Sequence, residues 1–158
     1  MKILAVDDDR DFLDYLEVVL NELGYSNVTL CSSASEALKK IDFAVVDFDC
    51  FILDIRMPGE DGIELCSRIR DKPKYRDTPV VMATAMSDRD HIDRAFAAGA
   101  TDYLTKPLDK IETRARLGMV QQLVRERLRA NFAVANAGRD ISAAPSYGFM
   151  DSIPLKKV

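Results

Sequence analysis

Five residues of this chain carry charge or a hydroxyl where short apolar runs stop: Asp7 and Asp8, Asp54, Thr84 and Lys106. Three carboxylates brought within a few ångströms repel one another and call for a cation. An oxygen-only set with room for water and phosphate oxygens suits Mg²⁺, with Mn²⁺ as the alternative ion. Lys106 adds a positive charge and Thr84 a hydroxyl donor. Together such groups stabilise charge on a transferring phosphoryl group, which is most of what that chemistry demands of a protein.

The elements that must bring these residues together are legible from hydrophobic pattern. The run 2–6 (KILAV) ends in three aspartates, as suits a buried parallel strand whose carboxyl end opens on a polar site. From Asp11 to Leu23, apolar residues recur at helical spacing and Gly24 stands where a C-terminal cap belongs. The alternation repeats with strands at 28–31, 50–54, 79–84 and 102–105. Helices are expected over 34–41, from Ile63 to Arg70, over 88–98 and from Asp109 onward. Parallel strands need crossovers, and crossovers cover both faces, so the expected class is α/β with a doubly wound five-stranded sheet. Sites in such sheets lie at the carboxyl ends of the strands, where all five residues fall.

The last helix keeps its apolar period past the length needed to cover the sheet, although Gly118 costs about 1 kcal/mol relative to alanine inside a helix. The expected organisation is therefore a domain over 1–125, an extension of the last helix over 126–135, and a tail or linker over 136–158, where Ala, Ser, Gly and Pro replace the periodic pattern.

Charge narrows the function classes. Residues 1–108 carry a net −8 and residues 109–158 a net +4, within a whole-chain charge of −4. An acidic body lacks the basic footprint that phosphate contacts require, so no direct nucleic-acid binding is expected. Cys31, Cys50 and Cys66 are odd in number and widely spaced, which reads as buried thiols rather than a disulfide framework or zinc site. Only four apolar residues in a row precede the first aspartate, too few for a signal peptide or membrane span; a cytoplasmic location with no membrane contact is expected.

The order and context of V-D-D (6–8), D-x-x-M-P-x-x-x-G (54–62), ATA (83–85) and Y-x-x-K-P (103–107) resemble the receiver domains of bacterial response regulators, over roughly residues 1–125. That resemblance implies a flavodoxin-like, CheY-like sheet of strand order 2-1-3-4-5. It makes Asp54 the nucleophile that accepts phosphoryl from a histidine kinase or histidine phosphotransfer protein. Asp8 would bind Mg²⁺ directly, Asp7 mainly through water, and Asp54 and the Arg56 backbone carbonyl would complete the protein ligands. Lys106 would pair with phosphoryl oxygens and Thr84 would hydrogen-bond one of them. Pro107 would follow a cis peptide bond. Tyr103 matches an aromatic switch position that relays the state of Thr84 to the face formed by the fourth helix, fifth strand and fifth helix. Such a protein is not a conventional enzyme; it catalyses its own phosphorylation and slow dephosphorylation. Its output is a protein effector, and a homodimer through that face or the extended helix is compatible with the pattern.

The same residues admit other readings. Asp9 and Asp11 are expected to serve the first helix as capping and first-turn acids rather than to bind metal. His91 is read as a surface residue. Arg56 and Met86 border the route of an attacking water and are candidates for tuning the lifetime of the phosphorylated state. A haloacid-dehalogenase-type phosphatase would instead use Asp7 as nucleophile and Asp9 as acid/base, but Asp11 stands where that pattern wants a threonine. The chain reads as a single-domain receiver acting through protein contact, with the receiver part of a larger effector as the alternative.

Overall fold

The structure is a computed structural model and describes residues 1–85 and 89–137. Met86 and residues 138–158 of the tail expected over 136–158 lie outside the described residues. The elements are β1 (Ile3–Val6), α1 (Arg10–Glu22), β2 (Val28–Cys31), α2 (Ala34–Asp42), β3 (Cys50–Asp54), α3 (Gly62–Arg70), β4 (Val80–Thr84), α4 (Arg89–Ala97), β5 (Asp102–Thr105) and α5 (Lys110–Ala137). The five strands form one parallel sheet in the order β2-β1-β3-β4-β5. A short 3₁₀ turn at Pro73–Tyr75, which the hydrophobic pattern does not announce, leads into β4. Helix α5 runs two residues beyond the expected end at 135.

Period-two alternation along the strands sorts the core into two layers. Leu4, Val6, Phe51, Leu53, Val80 and Met82 pack against Leu38 and Ile41 of α2, Leu65 and Ile69 of α3 and Ala95 of α4. Ile3, Ala5, Cys50, Ile52, Val81, Ala83 and Leu104 pack on the other face against Leu13, Leu16 and Leu20 of α1 and Leu117 and Val120 of α5. Burial on both faces explains why the strands read as continuous apolar runs rather than alternating ones.

Local chemistry starts the helices. The Asp9 carboxylate accepts from the backbone N–H groups of Asp11 and Phe12, and Ser33 accepts from Glu36 N–H. Asp61 and Glu64 form a reciprocal capping box at the start of α3. At the far end of α3, Arg70 donates to the carbonyls of Gly99, Tyr75 and Thr78, tying the turn after α4 to the loop before β4. Gly99 has φ +100°, a conformation that favours glycine, and an added Cβ would stand 2.8 Å from Arg70 Nε.

Contacts divide the chain into two units, Met1–Glu126 and Arg127–Val158. The first holds the whole sheet. In the second, the described residues are helical, and Leu128, Phe132 and Val134 are exposed. Among the described residues no helix is long and apolar enough to cross a membrane.

Candidate functional site

Strand alternation also decides which side chains meet. Asp7 continues the Ile3–Ala5 row of β1, Asp54 ends the Cys50–Ile52 row of β3, and Lys106 continues the Leu104 row of β5. All three therefore emerge on the α1/α5 side of the sheet's carboxyl edge. Lys106 Nζ lies 2.9 Å from Asp54 Oδ1 and 2.5 Å from Asp7 Oδ2. The lysine side chain is 16% exposed and Asp7 is 2% exposed, so this is a nearly dry ion cluster. The Asp7 carboxylate also accepts from Asp9 N–H at 3.0 Å.

Asp8 is exposed at the mouth of the same crevice. One carboxylate oxygen each from Asp7, Asp8 and Asp54 lies within 4.8 Å of the others. Three hard oxygen donors at this spacing, two buried and one open to water, fit a Mg²⁺ or Mn²⁺ ion that keeps part of its hydration shell. The Arg56 side chain is exposed two residues past Asp54, between the buried Ile55 and Met57.

Burial raises the Asp54 carboxyl above its ordinary range, and the neighbouring Asp7 and Asp8 charges add to the rise, while Lys106 opposes it. Burial disfavours the charged form of Lys106, but its hydrogen bonds to Asp7 and Asp54 outweigh that and raise its pKa.

Thr84 ends the Val80–Met82 row of β4 and so belongs to the opposite face, on the side of α2, α3 and α4. It is buried beside Thr105, and its carbonyl accepts from Lys106 N–H at 2.8 Å. Tyr103 packs against that same layer. Its ring meets Phe96 of α4 edge-on at 6.4 Å, and the Arg116 guanidinium lies 4.8 Å from its centroid. Arg116 is held there by Asp102 at 2.7 Å and Glu112 at 2.8 Å. The peptide bond between Lys106 and Pro107 is cis.

The structure thus brings Asp7, Asp8, Asp54 and Lys106 into one cluster and places Thr84 and Tyr103 behind it, towards α4. Asp9 caps α1 with one carboxylate oxygen, and Asp11 is exposed in the first turn. His91 lies in α4 and is half-buried. Two neighbours of the site escape a sequence reading. Phe12 reads as an ordinary core position of α1, yet its ring centroid lies 4.0 Å from Lys106 Nζ. Arg116 reads as a solvated helix arginine; only the packing of α5 on β5 sets it over Tyr103.

Known proteins share sequence and fold with this chain. The chain is 40% identical over 116 residues to the transcriptional regulatory protein YvrH of Bacillus subtilis, covering 73% of this chain but 46% of that relative. Among solved structures, a response regulator from Chloroflexus aurantiacus is 38% identical with a TM-score of 0.70, covering 75% of this chain and 95% of that one. The chemotaxis protein CheY4 of Vibrio cholerae is 32% identical with a TM-score of 0.69, covering 75% and 97%. The profile of the response regulator receiver domain matches residues 3–118, and the chain belongs to that family.

Proposed function

We propose that this receiver domain is a phosphorylation-dependent signalling switch in which Asp54 accepts the phosphoryl group. The observation that carries the reading is the Lys106 ammonium set between Asp54 and Asp7 at the carboxyl edge of the sheet. A buried carboxylate with a raised pKa is poorly stabilised as an anion and is correspondingly more nucleophilic. In the transfer, an Asp54 oxygen forms a bond to phosphorus as the phosphorus–nitrogen bond of a donor phosphohistidine breaks. The electron pair leaves with the imidazole, and an acyl phosphate remains.

Asp8, Asp7, Asp54 and the Arg56 carbonyl are the proposed holders of Mg²⁺, with Mn²⁺ as an alternative. The ion, when bound, offsets the negative charge of the carboxylates and phosphoryl oxygens. Lys106 neutralises a further phosphoryl oxygen, and Thr84 donates its hydroxyl to another. Loss of the Asp54 anion releases Lys106 from its present pairing, and Thr84 couples that change to Tyr103 and the surface of α4, β5 and α5. The donor is a histidine kinase or histidine phosphotransfer protein, and the output is a protein effector or an effector domain in a longer chain. Self-association through α4, β5 and α5, or through the extended α5, is part of this proposal.

A dehalogenase-like phosphatase is disfavoured, because Asp9, its acid/base, has an oxygen committed to two backbone N–H groups of α1. Labelling with acetyl phosphate and Mg²⁺, followed by mapping of the modified residue, tests the reading. Label on Asp54 that disappears in Asp54→Asn supports it; label on Asp7 overturns it.

A further inference from the structure

Phe12 is a half-buried aromatic residue at the edge of an ion cluster, a place where its ring does more than fill space. The Asp9 cap sets the first turn of α1, and the Phe12 N–H is one of the two groups that cap accepts. The ring is thereby turned towards the carboxyl edge of the sheet, on the side where Asp7, Asp54 and Lys106 emerge. Its centroid lies 4.0 Å from Lys106 Nζ, well inside the roughly 6 Å reach of a cation–π contact. The ammonium therefore touches three groups: two carboxylates and one ring face.

We propose that Phe12 is a positioning residue for phosphoryl transfer, its ring face holding the Lys106 ammonium beside Asp54 while the carboxylates change partners. The inference rests on the phosphoacceptor reading of Asp54. During transfer the Asp54 oxygen loses its negative charge to the new bond, and Asp7 belongs to the proposed metal set. Both anionic anchors of Lys106 therefore weaken as the reaction proceeds. The ring quadrupole does not change. It also accepts no hydrogen bond of ordinary strength, so the N–H donors released by the carboxylates are free to turn to phosphoryl oxygens. A carboxylate at position 12 would retain them. An aliphatic side chain would fill the same space without attracting the ammonium.

The test uses the full chain, with Phe12 replaced by mono-, di- and trifluorinated phenylalanine, and separately Phe12→Tyr and Phe12→Leu. Fluorination keeps the ring's shape while progressively weakening the negative potential of its face. The readout is the rate constant for Asp54 labelling by acetyl phosphate at saturating Mg²⁺, with the thermal midpoint as a control for folding. A small donor removes any contribution from docking of a protein donor. The rate is expected to fall stepwise with fluorine number, to stay within about twofold in Phe12→Tyr, and to drop about tenfold in Phe12→Leu. A flat fluorinated series overturns the proposal, and that series decides alone if Phe12→Leu fails to fold. If the unsubstituted protein is not labelled on Asp54, the phosphoacceptor reading fails and this inference falls with it. If Asp54 is labelled and the series is flat, only the role of Phe12 is lost.

Discussion

Gly62 approaches Asp54 so closely that a Cβ at position 62 would stand 1.9 Å from the Asp54 carbonyl oxygen. The contact joins the first residue of α3 to the last residue of β3, and Gly62 N–H bonds the Ile55 carbonyl at 3.0 Å. The turn between them is thereby folded against the strand that carries Asp54, the proposed phosphoacceptor. Because the obstacle is backbone, it cannot yield by changing a rotamer.

Gly62→Ala is accordingly expected to destabilise the protein by about 3 kcal/mol, the upper part of the usual range for overpacking. The roughly 1 kcal/mol by which alanine is favoured over glycine in a helix does not offset this. Urea unfolding at unchanged m-value measures the loss. An equally stable variant would show that the turn relaxes freely.

Asp54→Asn is expected to raise the thermal midpoint of the Mg²⁺-free protein at neutral pH. A carboxyl whose folded pKa lies above the ordinary 3.8 gives stability that is present below 3.8 and lost as pH rises through the folded value. At pH 7 the ionised Asp54 is therefore a net cost that asparagine removes. The advantage should shrink as pH falls towards 3.8. Midpoints recorded across pH, with and without Mg²⁺, test both this sign and a weaker stabilisation of the variant by the ion.

Lys106→Met leaves Asp7 and Asp54 facing each other without their shared cation. Breaking a buried ion pair from one side costs about 3 kcal/mol, and added Mg²⁺ should restore much of it. Acetyl phosphate labelling of Asp54 should slow by roughly 10²-fold even at saturating Mg²⁺, as for loss of one charge-stabilising donor. The chain has no tryptophan, so radiolabel or gel shift is the appropriate readout. An unchanged rate would remove Lys106 from the chemistry.

Arg116→Ala removes the guanidinium over Tyr103 together with the bonds to Asp102 and Glu112. A cost of about 1 kcal/mol is expected, because the arginine is partly exposed. Its clearer signature is faster averaging of the Tyr103 ring signals by NMR, with Tyr103→Phe supplying the assignment. Unaltered ring signals would mean that Phe96 alone holds the tyrosine.

Burial pushes the Cys31 thiol up to about 11, and Cys50 and Cys66 are likewise buried. Since the thiolate is the reactive form, all three should resist a disulfide reagent at pH 8 in the folded protein and react together on unfolding. Rapid reaction of one thiol in the native state would contradict this burial.

The amino-acid sequence by itself determined the strand ends, because a parallel sheet covered on both faces leaves continuous apolar runs, and Asp7, Asp54, Thr84 and Lys106 interrupt those runs at once. It also announced the helix starts, since Asp9 and Ser33 act on backbone only two or three residues away. The tertiary structure decided which of these residues meet. Alternation along each strand sends Asp7, Asp54 and Lys106 to the α1/α5 side and Thr84 to the other, and that outcome depends on the register of all five strands at once. The contacts of Phe12 with Lys106, Arg116 with Tyr103 and Gly62 with Asp54 are likewise tertiary. Each joins residues whose approach depends on how a helix or turn is packed against a strand, a relation that local pattern does not encode.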